Sequence, residues 1–268
     1  MKLSVWFKAF VFAALAGSFL AADASANSLL FIAPHRVVIA PDQQTTEVTV
    51  ANQSETKRRY EITMIDSVMT ETGATKRVDT FEYSAKRMVR YVPRAVELAP
   101  GERQTVRLMV RRPKDLADGD YHSHLLFREK ASEPEKPAEG EGENKFSFQV
   151  GAQYGVAIPV IVQKGTIEAS VKMGEVVKTE GAQKGLTVTF NRTGNAEAGA
   201  YLRVFKVEGT TEEPISAPLW VRIYREVGSI TRSIPLMADA ELEGKIILRL
   251  YNHADQNAEI LDVKEVSL

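Results

Sequence analysis

The longest run of alternating apolar and polar positions in this chain extends from Phe146 to Val162. Successive side chains of a β-strand point to opposite faces, so this alternation predicts a strand. It would be roughly three times the ordinary strand length of about five or six residues. Two interpretations remain open: two consecutive strands with a break near Gly155 or Pro159, or one strand that lends its apolar row to a partner. The apolar row consists of Phe146, Phe148, Val150, Ala152, Tyr154, Val156, Ile158, Val160 and Val162.

Shorter alternating or β-branched runs fill the rest of the chain. Turn residues separate them at intervals of roughly 8–12 positions, which is typical of an antiparallel β-sandwich. Before the long row, strands are predicted at 37–39, 46–50, 60–65, the two arms of a hairpin within 68–78, 88–92, 96–98, 105–110 and 121–128. After it, seven strands are predicted at 166–173, 186–190, 200–207, 219–224, 230–236, 245–251 and 258–266. Seven strands in about 100 residues match an immunoglobulin-like sandwich.

The strand pattern predicts an all-β protein of two immunoglobulin-like β-sandwich domains, at residues 27–163 and 164–268. The long row at 146–162 ends the first domain, and a very short linker follows it. The preceding segment, 129–145, is acidic and rich in Pro and Gly, with six Glu against two Lys from 129 to 144. Without aromatic or β-branched residues it cannot bury enough apolar surface to fold alone, so we expect a mobile hairpin loop.

The first 26 residues have the pattern of a signal peptide. Lys2 and Lys8 form a short basic region, an apolar stretch from Ala9 to Ala22 follows, and Ala24-Ser25-Ala26 is a small-residue cleavage site. The mature chain is then expected to begin at Asn27 and to be exported and soluble. The alternative is an uncleaved membrane anchor, although the apolar stretch is short for crossing a bilayer.

Composition and charge narrow the possible functions. The chain has no Cys, which excludes thiol catalysis and thiolate metal sites. Its formal net charge is −1, and removal of Lys2, Lys8 and Asp23 with the signal peptide changes this to −2. Near-neutral charge does not indicate a nucleic-acid or anionic-membrane partner.

No motif for catalysis or cofactor binding occurs, and neither a nucleophile elbow, a P-loop, an HExxH motif nor a dinucleotide fingerprint is present. His122 and His124 would lie on one face of a strand and could ligate a metal with a third group, but no carboxylate has metal-site spacing. We therefore expect no enzyme activity, no cofactor and no metal. In that strand, Tyr121, Leu125 and Phe127 are the better core candidates.

Several segments together resemble one family, the PapD-like periplasmic pilus chaperones. The similar segments are Pro34–Ile39, Pro93–Arg107 with its Pro-Gly turn, and Gly119–Glu129, and a weaker similarity covers Phe190–Asn195. The resemblance covers about residues 29–164 well and the remainder loosely.

The resemblance implies two immunoglobulin-like sandwiches in an L-shaped arrangement and a chaperone that works in the periplasm. Such proteins bind pilus or fimbrial subunits by donor-strand complementation and deliver them to an outer-membrane usher. The corresponding subunit-binding residues here are Arg36, which would anchor a subunit's terminal carboxylate from the first strand, and the row Phe146, Phe148, Val150, Ala152 and Tyr154. The family's second basic residue, a lysine on the long strand, has no counterpart in Gly155–Ile158.

Alternatives to this interpretation stay open at the level of sequence. Arg36 could simply be a solvated arginine at the end of a strand. The whole chain could be a structural pilus component or an exported two-domain binding module. An exported hydrolase has no supporting constellation of residues. An exposed alternating strand could also cause self-association of the free protein.

Overall fold

The computed structural model of this chain describes residues 30–130, 154–179, 185–238, 240, 242–255 and 257–268. The described residues form eighteen β-strands and no helix, so the predicted all-β class is confirmed. None of them forms a helix that could span a membrane. The predicted signal peptide, most of the acidic segment, and Phe146, Phe148, Val150 and Ala152 of the apolar row lie outside the described residues.

The first ten strands build the first sandwich. They are β1 (Leu30–Ala33), β2 (Val37–Ile39), β3 (Thr45–Asn52), β4 (Arg58–Met69), β5 (Thr75–Val78), β6 (Val89–Val92), β7 (Ala95–Leu98), β8 (Arg103–Val110), β9 (Gly119–Glu129) and β10 (Gly155–Lys164). One sheet has the order β1-β3-β8-β6, and the other has the order β2-β10-β9-β4-β5, with β7 also paired to β4.

The inner faces of these two sheets enclose one apolar core. Leu125 and Phe127 are fully buried in it, and Tyr121 is 5% exposed, which confirms all three as core residues. Complete burial of a side chain such as Phe127 stabilises the fold by about 1.5–3 kcal/mol. The alternation of apolar and polar positions therefore places one face of each strand inward, as the sequence predicts.

Strand β10 runs without interruption through Pro159. The predicted break at Pro159 is therefore wrong. The strand tolerates this proline because its missing N–H faces an unpaired edge.

At the other end of the predicted loop, Glu129 is the last residue of β9. It is buried against Arg58, with which it forms an ion pair. The strand β9 is thus longer than the sequence pattern indicated.

The second sandwich contains the remaining eight strands, one more than predicted. They are β11 (Ala169–Thr179), β12 (Gly185–Gly194), β13 (Ala198–Glu208), β14 (Thr211–Pro214), β15 (Leu219–Ile223), β16 (Ser229–Ile234), β17 (Lys245–Tyr251) and β18 (Ile260–Ser267). One sheet is β11-β12-β16, and the other is β14-β13-β17-β18, with β15 also paired to β13. The missed strand β14 has the sequence TEEP and is exposed throughout, so no apolar period marks it.

A short connection and a polar interface join the two sandwiches. Gly165, which follows β10, has φ of +62°, a conformation that favours glycine, and the Asp118 carboxylate packs against it. The same carboxylate accepts the backbone N–H of Thr166 at 3.1 Å. The chain therefore turns tightly at the point where it enters the second sandwich.

Candidate functional site

Arg36 lies in the three-residue bend between β1 and β2, not on the first strand as the sequence suggested. At this bend the chain changes sheets, because β1 pairs with β3 in one sheet and β2 pairs with β10 in the other. The bend therefore lies beside β10, at the side of the sandwich that faces the second sandwich.

One edge of β10 is covered over only part of its length. On one side β9 pairs with β10 from Gly155 to Lys164. On the other side the parallel strand β2 pairs only with Val160, Ile161 and Val162. From Gly155 to Pro159, this second edge has no strand partner among the described residues. Arg36 directly precedes β2 and therefore lies at the end of the open part of the edge.

The hydrogen-bond pattern identifies the backbone groups on the open edge. The Glu129 N–H donates to the Tyr154 carbonyl at 2.9 Å, so alternate residues from Tyr154 onward direct their backbone groups toward β9. The residues between them face the open edge. Gly155 and Ala157 each present an N–H and a carbonyl there, while Pro159 presents a carbonyl alone. This short ladder of unpaired groups is a template for another strand.

The apolar row on β10 extends beyond the core. Ile158, Val160 and Val162 are at most 2% exposed and belong to the core of the first sandwich. Val156 lies on the same face but is 37% exposed, and Tyr154, just before the strand, is 65% exposed. The structure therefore places Tyr154 and Arg36 at the two ends of the open part of β10, and leaves the side chains of Tyr154 and Val156 exposed.

Arg36 is not solvated but forms an ion pair with Glu197 of the second sandwich. Both side chains are four-fifths buried. Within the described part of the chain, Arg36 Nη1 and Glu197 Oε2 are buried without a hydrogen-bond partner. Tyr224 lies close by. Burial raises the pKa of its phenol, although the charge of Arg36 favours the ionised phenolate. The interpretation of Arg36 as a solvated strand-end residue is wrong.

A second arginine, which the sequence analysis missed, lies next to this ion pair. Arg222 on β15 is half-buried. Burial and the like charge of Arg36 lower the pKa of its guanidinium, and these effects outweigh the opposite effect of Glu197. Its guanidinium lies 5.1 Å from the ring centroid of Trp220. Trp220 in turn packs on Tyr201, with ring centroids 4.6 Å apart. Period-two spacing of Trp220, Arg222 and Tyr224 is the signal that could have placed all three on one face.

The imidazoles of His122 and His124 are buried against the second sandwich, on the face of β9 opposite the core. His122 Nε2 lies 3.0 Å from Glu226 Oε2, and its ring packs on Tyr224 at 4.5 Å. Burial, His122 and Arg36 lower the pKa of His124 to about 4. Burial raises the pKa of Glu226, but the hydrogen bond and charge of His122 bring it below its ordinary value. These histidines therefore connect the two sandwiches.

Further polar contacts hold the two sandwiches at this position. The Asp120 carboxylate accepts the backbone N–H of Glu197 at 2.6 Å, and burial raises its pKa. Arg225 donates to the Asp120 carbonyl at 3.0 Å and stacks over Tyr83 at 4.3 Å. In the described residues, no three His, Asp or Glu side chains form a group suited to a metal ion. Charged and aromatic side chains of both sandwiches therefore line this cleft.

No family model and no curated protein matches this sequence. Solved structures do match. A chain of the CsuC–CsuE chaperone–tip adhesion subunit pre-assembly complex from the archaic chaperone–usher Csu pili of Acinetobacter baumannii is 14% identical, with a TM-score of 0.50 over 89% of this chain and 98% of that chain. The class 5 fimbriae chaperone CfaA is 14% identical, with a TM-score of 0.47 over 89% and 100% of the two chains.

A third structure, the Pseudomonas aeruginosa CupB2 chaperone, is 12% identical, with a TM-score of 0.45 over 89% of this chain and 100% of that chain. The similarity to the Csu complex establishes the fold, two immunoglobulin-like β-sandwiches in succession. This chain therefore has the fold of the PapD-like chaperones of chaperone–usher pili.

Proposed function

We propose that this chain is a periplasmic chaperone that binds pilus subunits by strand pairing along the open edge of β10. The observation that carries the proposal is the edge from Gly155 to Pro159, where unpaired backbone groups adjoin the exposed apolar side chains of Tyr154 and Val156. Strand addition at such an edge supplies affinity through main-chain hydrogen bonds and specificity through alternate side chains.

The physical need for such a protein follows from the structure of an incomplete sandwich. A subunit that lacks one strand exposes an apolar groove and an unpaired sheet edge, and both promote aggregation. The row that begins with Phe146, Phe148, Val150 and Ala152 would fill that groove in our proposal. Tyr154 and Val156 would continue the row up to the core of the first sandwich.

Arg36 gives the added strand a preferred direction. It lies at the β2 end of the open edge, so a strand that runs parallel to β10 would direct its carboxyl-terminal end, with a terminal carboxylate or a nearby acidic side chain, toward Arg36. A guanidinium stabilises a carboxylate by charge-assisted hydrogen bonds, and Arg36 Nη1 has no partner among the described residues. A strand that ran antiparallel would instead bring its positively charged amino terminus to Arg36. Parallel addition is therefore favoured.

Delivery to an outer-membrane usher and a periplasmic location belong to the same proposal. They are supported by the signal-peptide pattern of residues 1–26 and by the family resemblance. The role requires binding and release of a protein partner, and we expect no catalysis and no cofactor.

The proposal is tested by the substitution Ala157→Pro, which removes one outward N–H without removing a hydrogen bond to β9. The matched control is Arg77→Pro on β5, the opposite edge strand of the same sheet. The Thr70 N–H donates to the Ala74 carbonyl at 2.7 Å, and the alternation that follows directs the Arg77 N–H outward as well. Both variants therefore carry a proline at an unpaired edge position.

Tagged variants are purified from the native periplasm, and proteins that co-purify in equimolar amount are identified by mass spectrometry. We expect a small β-rich subunit with the wild type and with Arg77→Pro, and its loss with Ala157→Pro and with Val150→Asp. Circular dichroism and thermal melting verify that each variant is folded. Equal recovery of the partner with Ala157→Pro would refute strand pairing at this edge and favour a structural pilus component or a binding module.

A further inference from the structure

The cleft-facing side of the second sandwich carries an ordered aromatic and cationic surface. Successive residues of a strand alternate between faces, so Glu197, Gly199 and Tyr201 lie on one side of β13, with Glu197 just before its first residue. Trp220 and Arg222 lie on the same side of β15, opposite Tyr201 and Gly199 respectively. We call the group formed by Tyr201, Trp220 and Arg222 the β13–β15 platform.

The platform is closely packed because Gly199 leaves room for the indole. A Cβ atom at Gly199 would lie 2.6 Å from the Trp220 ring, so this ring lies directly over the backbone of β13. Tyr201 and Arg222 also pack against this ring. Trp220 nevertheless remains 37% exposed. A large aromatic side chain that is braced in the free protein loses little conformational entropy on binding.

The charges around the platform are unbalanced. Arg36 forms an ion pair with Glu197, and Arg222 lies near enough for its pKa to respond to both charges but forms no ion pair with a described residue. Asp120, the nearby carboxylate of the first sandwich, accepts the backbone N–H of Glu197 with Oδ2, while its Oδ1 is buried without a partner among the described residues. The arginine whose charge acts on Asp120 is Arg225, not Arg36 or Arg222. Among the described residues, Arg222 has no hydrogen-bond acceptor, and Arg36 Nη1 has none either. One further carboxylate would balance the site and satisfy these donors.

The platform is also continuous with the strand edge. Arg36 marks the end of the open part of β10 and pairs with Glu197, and Gly199 follows Glu197 at the next position of the same face. Two residues of a strand span about 7 Å. A chain that leaves the β10 edge at Arg36 therefore needs only a few residues to reach Trp220 and Arg222.

We propose that the β13–β15 platform is a second docking surface, and that it binds an acidic segment of the partner that pairs with β10. Arg222 binds a carboxylate of that segment, and Trp220 and Tyr201 pack against a neighbouring apolar side chain. Tryptophan, tyrosine and arginine are the residue types that dominate the binding energy of protein interfaces. The inference rests on the proposed strand addition and extends it to the second sandwich.

The test uses two synthetic peptides and the intrinsic fluorescence of Trp220. Both peptides have eight alternating Thr and Val residues, and they end in Gly-Glu-Phe-Glu or in Gly-Gln-Phe-Gln, with amidated carboxyl termini. The chain has two tryptophans, Trp6 in the predicted signal peptide and Trp220, so the difference between wild type and Trp220→Phe isolates the signal of the platform. Titrations are followed at low and at high salt.

We expect the acidic peptide to change Trp220 emission saturably and to bind about 10-fold more tightly than the Gln peptide at low salt, with a smaller ratio at high salt. Arg222→Gln should remove this preference. Arg249→Gln is the matched control, because it removes the same charge from the same sheet, where Arg249 is already paired with Glu212 at 2.6 and 2.7 Å. The control should retain the preference.

The outcomes separate this inference from the proposed function. If Ala157→Pro weakens both peptides while Arg222→Gln changes nothing, strand addition stands and the platform is refuted. If Arg222→Gln abolishes the acidic preference while Ala157→Pro changes nothing, the platform stands and strand addition at β10 is refuted. Absence of any Trp220 response to the acidic peptide, or equal affinity for the two peptides, also overturns the platform.

Discussion

Val156 and Ile158 lie two residues apart on the same face of β10, yet Val156 is 37% exposed and Ile158 is 2% exposed. The apolar row thus passes from solvent into the core of the first sandwich within one repeat of the strand. This boundary coincides with the open edge, because β2 begins to cover β10 only at Val160. The same strand therefore contributes to the core at one end and has an unpaired edge at the other.

The boundary predicts unequal losses of stability for two similar truncations. Ile158→Ala should reduce the free energy of unfolding by about 2–4 kcal/mol, because it leaves a cavity in the core. Val156→Ala should change it by no more than about 0.5 kcal/mol, since the side chain is partly solvated already. Urea denaturation followed by circular dichroism checks both values. Equal destabilisation by the two variants would place Val156 in the core and contradict the assignment of a binding edge.

The ion pair between Arg36 and Glu197 predicts a measurable coupling between the sandwiches. Glu197→Gln should destabilise the protein by about 1–3 kcal/mol, because it leaves the largely buried Arg36 without its carboxylate. Glu47→Gln is the control, since the pair of Glu47 with Arg107 is more than half exposed and should contribute less than about 1 kcal/mol. Thermal melting compares them, and a cost for Glu197→Gln no larger than the control would show that the pair does not join the sandwiches.

His124 predicts a loss of stability in acid. Its pKa is lowered to about 4 in the folded chain, from an ordinary value of 6.5, mainly by burial and further by His122 and Arg36, whose effects outweigh those of Asp66 and Glu226. The unfolded chain therefore takes up the proton first as the pH falls. Above about pH 6.5 the imidazole is neutral in both states, and the free energy of unfolding has its full value. By pH 4 the free energy of unfolding is lower by about 3 kcal/mol.

A comparison with His124→Gln isolates this contribution. The difference in free energy of unfolding between wild type and variant should change steadily between pH 7 and pH 4, in the direction that disfavours the wild type in acid. Urea titrations at four or more pH values would provide the curve. A difference that stays constant over this range would mean that His124 does not titrate in this way.

The position of Trp220 over Gly199 predicts the effect of one added methyl group. Gly199→Ala should displace the indole, because the new Cβ would lie 2.6 Å from the ring. We expect a shifted Trp220 emission maximum with the fold retained. Gly228→Ala is the control, since no atom lies within 4 Å of a Cβ at that position. An unchanged emission spectrum in Gly199→Ala would contradict the packing of the platform.

Alternation in the sequence located most of the strands because burial of one face of a sheet imposes a period of two residues. The core residues Leu125 and Phe127 follow directly from this rule. Strand β14 was missed because TEEP carries no such signal and forms only by pairing with β13. The histidines His122 and His124 share a strand face in the sequence, but their burial depends on a second sandwich that the local pattern does not contain.

The site could be predicted only in part. The sequence singled out Arg36 and Tyr154, and the fold places them at the two ends of the open part of β10. It did not indicate that Arg36 pairs with Glu197, 161 positions later, since a contact at that separation depends on the relative placement of two sheets. Arg222 was missed for the same reason, because its period-two spacing from Trp220 and Tyr224 indicates a shared face but not that this face lies beside Arg36 and Glu197.

The sequence by itself therefore determined the all-β class, the two-sandwich organisation and the exceptional length of the apolar row, since these depend on the local alternation of side chains. The tertiary structure alone decided which part of β10 is buried and which part has an open edge. It also decided that Arg36, Glu197 and Arg222 share one cleft. Pairing of β2 with β10 and packing of one sandwich on the other set these relations, and both are long-range contacts without a local signature.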